Sequence, residues 1–155
     1  MSKEEITVFA EKYMDTIYRV AYSWTKNSDD ANDVTQDVLI QLYKTAKEFE
    51  SESHLKNWLI RVTVNHCKML FRSPWSKMED IGEYANTLGF EEESYLDLFQ
   101  AVMNLDKKYR VPIFLFYYEG YSTAEIASIL GIREKTVSTR LFRAKGKLKD
   151  YLKEE

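Results

Sequence analysis

The chain has 155 residues, 45% apolar and 30% charged, a balance that suits one medium domain or two small ones rather than a disordered chain. Only five Gly and two Pro stand against eleven Tyr, eight Phe and three Trp, which favours long helices over a turn-rich β-sandwich. The net charge is −3, and Cys67 is the sole cysteine, which excludes an internal disulfide, leaves a structural zinc site short of ligands and suits a reducing cytosol.

No apolar run approaches the roughly 18 residues that span a bilayer, and Met-Ser-Lys-Glu-Glu lacks the apolar core of a signal peptide. In chain order, Ile6, Phe9, Tyr13, Ile17, Val20 and Trp24 recur at helical spacing and predict one buried stripe. Asn27-Ser28-Asp29-Asp30 breaks the pattern, with Asp29 or Asp30 expected to cap a second helix. Val34, Val38, Leu42 and Ala46 form that helix's stripe. After the polar loop Glu50–Ser53, a third helix is expected from near His54, burying Leu55, Trp58, Leu59, Val62 and Leu70 and ending before Ser73-Pro74. Residues 74–95 hold Pro74, two glycines and no sustained helical period; they read as a linker, with a short helical turn near Met78–Asn86.

A second helical block begins near Ser94 with Leu96, Phe99, Val102, Met103 and Leu105 on one side. Asp106 is expected to cap a helix through Tyr118, in which Pro112 requires a late start or a kink. Gly120 stands where helices end in a left-handed residue. Ser122-Thr-Ala-Glu125 reads as a capping box opening a short helix with Ile126, Ala127, Ile129 and Leu130. Gly131-Ile132 makes a turn, and a last helix from about Glu134 to Leu152 buries Val137, Leu141, Ala144, Leu148 and Leu152. The fold class is therefore all-α: two small helical domains, 1–73 and 96–155, joined by the acidic linker 74–95.

Charge is distributed unevenly. Residues 74–97 carry Lys77 alone against seven acids, whereas residues 133–155 carry eight bases and four acids. Ala127, Gly131 and Val137 stand at the offsets a helix-turn-helix requires: a small residue at the crossing, a glycine at the turn and an aliphatic anchor. Lys135, Thr136, Ser138, Thr139, Phe142 and Arg143 then project away from Val137 and Leu141, or flank them, near the helix N-terminus, the end that enters a major groove. Arg140, Lys145, Lys147 and Lys149 can add salt-sensitive phosphate contacts.

With these motifs in view, the stretch from Leu105 to Lys145 resembles the C-terminal domain of bacterial RNA polymerase sigma factors, carried by Tyr117-Tyr-Glu-Gly-Tyr-Ser-Thr-Ala-Glu-Ile-Ala127 and Thr136-Val-Ser-Thr-Arg-Leu-Phe-Arg143. Ile17-Tyr-Arg-Val-Ala-Tyr22, Asp30-Ala-Asn-Asp-Val-Thr-Gln-Asp-Val38 and Leu55-Lys-Asn-Trp-Leu-Ile-Arg-Val-Thr-Val-Asn65 resemble the other conserved sigma domain. Two domains in this order are similar to the extracytoplasmic-function subfamily, over about residues 7–152. The resemblance implies a −35 element read by the last helix, with Lys135, Thr136, Ser138, Thr139, Arg140, Phe142, Arg143 and Lys147 as DNA-binding residues. It implies core-polymerase docking by Asn32, Asp33, Gln36, Asp37 and Tyr43. It places −10 recognition and melting on Phe49, Ser51, Ser53, His54, Lys56, Asn57, Arg61 and Asn65, where a flipped base must be held against a few kcal/mol of unstacking. Trp58 is expected in the core rather than as a stacking platform. Ser138 departs from relatives that carry a basic residue there, and the stretch Asn65–Arg72 is more apolar than typical.

The expected function is an alternative sigma factor that binds core RNA polymerase and promoter DNA, directs initiation in the cytoplasm and is held by an anti-sigma factor. The alternative is a freestanding helix-turn-helix regulator binding DNA as a dimer. No enzyme is expected, since no Gly-rich phosphate loop, paired nucleophile and base, or ligand cluster occurs. No cofactor, metal, small-molecule substrate or direct membrane insertion is expected, and adjacent His66 and Cys67 point in different directions on a helix. The promoter elements lie about 70 Å apart, at roughly 34–36 Å per duplex turn. A linker of about 22 residues reaches at most about 75 Å. The acidic stretch is also expected to lie over the basic last helix in the free protein.

Overall fold

The computed structural model describes residues 2–45, 47–70 and 93–153, with side chains of the last stretch described from 96 to 150. Contacts divide the chain into two compact units, Met1–Lys77 and Met78–Glu155. The linker expected at 74–95, its helical turn and its cover over the last helix lie outside the described residues, apart from Glu93–Tyr95, which already belong to a helix.

Among the described residues, the first unit holds three helices, α1 (Lys3–Thr25), α2 (Ser28–Lys44) and α3 (Glu52–Leu70), each packed on the other two. Ser2 opens α1, its hydroxyl accepting the Glu5 amide, and Lys26 closes it with a left-handed φ of 50°. Asn27 caps α2, its side chain accepting from the Asp30 amide; Asp29 and Asp30 are therefore not the cap but sit in the first turn, where carboxylates favour the helix dipole. The helix starts a residue earlier than the aspartates because Asn27 takes the extended backbone that a cap needs. Residues Val20 through Thr25 are all buried, so this end of α1 is enclosed on every side rather than along one stripe. Ala31, Val34, Val38 and Leu42 form the inner face of α2.

Two buried threonines avoid an orphaned hydroxyl. Thr35 donates to the Ala31 carbonyl and Thr63 to the Leu59 carbonyl, each at 2.7 Å along its own helix. Helix α3 starts at Glu52, not near His54, because the Ser51 hydroxyl accepts the His54 amide at 3.1 Å. It buries Leu55, Leu59 and Val62 as expected, and also Ile60, Val64 and Cys67, while Trp58 is only half-buried.

The second unit holds α4 (Glu93–Met103), α5 (Lys107–Tyr117), α6 (Thr123–Leu130) and α7 (Glu134–Lys153). Helix α7 packs against the other three. Asp106 occupies the N-cap position of α5 but makes no side-chain capping bond. The helix does not start late for Pro112; it runs from Lys107 through it, so the Lys108 carbonyl loses the amide that would ordinarily bond it. Every residue from Tyr109 to Leu115 is buried, including Arg110 at 2% exposure, whose Nη1 donates to the Leu105 carbonyl at 3.1 Å. Beyond α5, Gly120 takes φ 72° and the Tyr121 amide returns to the Leu115 carbonyl.

Tyr118 lies against Phe114, stacked at 5.3 Å, and edge-on to Phe99 at 5.9 Å. Burial there pushes its phenol up from 10.0 to about 12. The neutral phenol is the form the fold favours. Its contribution is complete below pH 10 and is lost as the pH rises towards 12. Tyr118→Phe should therefore lose less thermal stability than the parent chain across that window. Parallel melts at stepped alkaline pH test this, and identical losses in the two proteins would refute it.

Candidate polymerase and promoter interfaces

Three surfaces gather the residues singled out from the sequence. On α2, Asn32, Asp33, Gln36 and Asp37 are all exposed, opposite the Val34, Val38 and Leu42 face. Tyr43 is 50% exposed, with its hydroxyl 3.2 Å from Thr7 Oγ1 of α1, so one end of the surface is tied to a second helix. The sequence reading missed Ile40. It is 50% exposed and stands four residues after Gln36, three after Asp37 and three before Tyr43. Those offsets put it on the same helix face, between Asp37 and Tyr43. The available signal was an apolar residue out of register with the buried stripe.

The second surface is the entry to α3. Phe49 is half-buried and meets His54 and Trp58 edge-on, each ring at 5.4 Å. His54 Nδ1 accepts the Glu50 amide at 3.1 Å, which requires the tautomer with its proton on Nε2. The same residue's amide goes to Ser51, so residues 50 to 54 form a closed hydrogen-bonded turn. Glu52 ties that turn to α1. It accepts from Lys12 Nζ, and this bond together with one from Tyr13 lowers its carboxyl below the usual range. Ser53, Arg61 and Asn65 are exposed; Lys56 and Asn57 are half-buried. Asn57, Arg61 and Asn65 follow at intervals of four and share a face. Lys56 stands one turn after Glu52 and its charge acts on that carboxyl, so it joins the Glu52 cluster rather than the Arg61 line. Trp58, expected in the core, instead completes the aromatic wall with Phe49 and His54.

The third surface is the helix-turn-helix of α6 and α7. Ser122 and Glu125 satisfy each other's amides at 3.1 and 3.0 Å, the expected capping box. Gly131 adopts φ 69°, and both its amide and that of Ile132 return to the Ala127 carbonyl. A Cβ at Gly131 would meet no neighbour, so the backbone conformation, not space, demands glycine. Thr123 Oγ1 donates to Glu134 at 2.8 Å and links the starts of the two helices. Val137, Leu141, Ala144 and Leu148 are buried. Lys135, Ser138, Thr139, Arg143 and Lys147 are exposed, Thr136 and Arg140 half-buried, and Phe142 is 79% exposed. Lys145 lies over the Phe116 and Tyr117 rings of α5, each at 5.5 Å, and Lys149 is exposed. The sequence reading missed Lys108 and Tyr109 of α5, which border the same flank of α7 as Thr136, Arg140 and Arg143.

Among the described residues, no cluster of three or more His, Cys, Asp or Glu is arranged to hold a metal. No described helix is long and apolar enough to cross a membrane.

Comparison with known proteins covers both units. Residues 9–77 match the sigma-70 region 2 family and residues 95–148 the sigma-70, region 4 family. The "ECF RNA polymerase sigma factor SigM" of Mycobacterium tuberculosis is 29% identical over 136 residues, 85% of this chain and 69% of its own. The "ECF RNA polymerase sigma-E factor" of Escherichia coli is 30% identical over 136 residues, 76% of this chain and 71% of its own. In fold, the chain is similar to the sigma factor RpoE of Bartonella quintana, solved in complex with the anti-sigma factor NepR. That likeness has a TM-score of 0.72 at 23% identity and covers 97% of this chain and 96% of the other. Two matched sigma regions in order, where a freestanding regulator would need only the second, leave one assignment: the chain belongs to the extracytoplasmic-function RNA polymerase sigma factors.

Proposed function

We propose that this sigma factor docks on core RNA polymerase through the exposed face of α2, melts the −10 element at the entry to α3, and reads the −35 element with α7. The family is not one of catalysts, and here the chain acts as a specificity subunit rather than an enzyme, in the cytoplasm where the polymerase works. The domain limits follow the same division: 1–73 for docking and melting, 96–155 for −35 binding, and the acidic stretch between as their tether. An anti-sigma factor is the further partner, by analogy with the relative solved in complex with one.

The observation that carries the docking reading is a face of Asn32, Asp33, Gln36 and Asp37, all exposed, with Ile40 half-exposed among them. A docking surface gains from that isoleucine, because an apolar residue beside polar groups excludes water as the partner arrives. The −10 reading is supported by Phe49, His54 and Trp58. Three aromatic groups around one short turn offer an extruded base an edge and a face. Phe142 supports the −35 reading. A phenylalanine with 79% of its surface exposed has little packing role, and a thymine methyl in the major groove is a chemical match.

Docking is checked by co-purification with bacterial core polymerase. The parent chain should bind stoichiometrically. Changing Asp33, Gln36 and Asp37 together to alanine should abolish capture. Ile40→Asp alone should weaken it by about 2 kcal/mol or more, the loss typical of a central contact. Capture that survives the triple change would remove α2 as the docking face.

Promoter reading is checked by the set of sequences that the holoenzyme selects from a randomised −35 library. Phe142→Ala should relax selection at one or two adjacent thymines, a loss of about 1–3 kcal/mol at those positions, and leave the remainder of the site intact. An unchanged selected sequence would take Phe142 out of base reading.

A further inference from the structure

Helix α3 begins at Glu52, and that first residue is tied sideways to α1. The Glu52 carboxylate accepts from Lys12 Nζ, forty positions earlier in the chain, and from the Tyr13 hydroxyl. Lys12 Nζ also lies 5.5 Å from the centre of the Tyr13 ring, so the three groups form one cluster. All three respond to it. The bond to Glu52 raises the Lys12 ammonium above its usual range. Burial first, and the bond to Glu52 second, raise the Tyr13 phenol.

The two donors differ in what they add. Lys12 and Glu52 are 54% and 43% exposed, and an ion pair of that kind is a weak tie by itself. Tyr13 is buried, with its ring stacked on Phe9 at 6.5 Å. A packed ring cannot follow a carboxylate that drifts, so the hydroxyl gives the tie a fixed point in the core of the unit.

The place of the tie matters more than its strength. The turn from Glu50 to His54 is closed by its own bonds, the Glu50 amide to His54 Nδ1 and the His54 amide to Ser51. Those bonds run between residues of the turn, so they set its shape and not its position on the unit. Glu52 is the midpoint of the turn, and its side chain reaches a different helix. Phe49 and Trp58 then meet beside a turn that α1 has located.

We propose that Lys12 and Tyr13 of α1 are positioning residues for −10 capture: through Glu52 they hold the turn between Phe49 and His54 in the geometry that receives an extruded base. This rests on the −10 reading above. A turn held before the base arrives lowers the ordering cost of capture, and a small displacement of it costs binding without removing any contact to DNA. The competing role is electrostatic, with Lys12 on a phosphate and Glu52 merely repelling DNA. The two roles predict opposite signs for Glu52→Gln.

Holoenzyme is reconstituted from the full chain and bacterial core polymerase, on a promoter that the parent holoenzyme selects. One readout is permanganate reactivity of the −10 thymines. The other is affinity for the single-stranded −10 oligonucleotide across a salt series. Glu52→Gln and Lys12→Met should each lower affinity about threefold, the scale of an exposed pair, with the salt slope unchanged. Permanganate reactivity should fall with it. Lys12→Arg keeps a donor and should retain the parent values. Tyr13→Phe keeps the ring in the core and should weaken capture in the same direction. The double variant should lose no more than the worse single one, because both side chains act through one contact. Core capture should be retained throughout, which shows that the variants are folded. Glu11→Gln, a neighbouring exposed acid, should behave as the parent chain.

Tighter binding by Glu52→Gln would overturn the positioning role. So would a salt slope lowered by about 0.7 in Lys12→Met, the release expected for one single-strand phosphate contact. A double variant whose loss is the product of the single losses, about ninefold, would overturn it as well. Phe49→Ala separates the proposal from the reading beneath it. If Phe49→Ala abolishes reactivity while Glu52→Gln and Lys12→Met match the parent chain, the −10 reading stands and the positioning role fails. If Phe49→Ala has no effect either, both fail.

Discussion

Everything the C-terminal unit does depends on how α7 is rotated about its own axis. Val137, Leu141, Ala144 and Leu148 follow at intervals of four, three and four, and all four are buried. Helices α4, α5 and α6 meet α7, so the stripe has packing partners along its length. A rotation of one residue, about 100°, would bring threonine and arginine into that core and expose the aliphatic groups. The penalty for burying an unpaired guanidinium, about 3–5 kcal/mol, is a large part of the stability margin of a small domain. The stripe therefore fixes where every other side chain of the helix points. Phe142 is exposed because the core has no position for it, not because the surface favours it.

The same logic runs through the first unit with a different central element. The last third of α1 is buried on all sides, which leaves α2 and α3 to meet water with their outer faces. Helix α2 is then two-sided by necessity, with Ala31, Val34, Val38 and Leu42 inside and Asn32, Asp33, Gln36 and Asp37 outside. Helix α3 has a stricter constraint, because its start also shapes the aromatic turn. Ser51 stops the helix and holds the His54 amide, while His54 in turn holds the Glu50 amide. Capping and site geometry are one hydrogen-bonded unit here, so the turn cannot be reshaped without loosening the helix.

Much of this was legible in the sequence, and the exceptions have physical causes. Long helices with one apolar stripe, such as the start of α1 and most of α7, can be read from spacing because a single buried face produces a single period. Helix α5 could not be read in that way. Seven consecutive buried residues, Tyr109 to Leu115, have no period, and a charged Arg110 among them looks like surface until the Leu105 carbonyl is seen to accept from it. Helix starts were missed by a residue or two where neighbours compete for one cap, Asn27 against Asp29 and Asp30, or Ser51 against His54. The candidate surfaces were legible where an exposed polar face lies opposite a buried stripe, as on α2 and α7. Lys108 and Tyr109 were not legible, since their approach to α7 is a tertiary contact between residues about thirty positions apart in the chain.

That tertiary contact separates two properties that a lone recognition helix would have to combine. Phosphate attraction is strong, sequence-blind and screened by salt; base-edge contact is short-range and selective. If both were carried by the same side chains, any change of promoter preference would also change overall affinity. Here Ser138 and Phe142 stand on one line of α7 and Thr136, Arg140, Arg143 and Lys147 on the next, with Lys108 and Lys147 over the Tyr109 ring of α5. Ser138 puts no charge on its line of the helix, whereas Arg140 and Arg143 keep the neighbouring line basic.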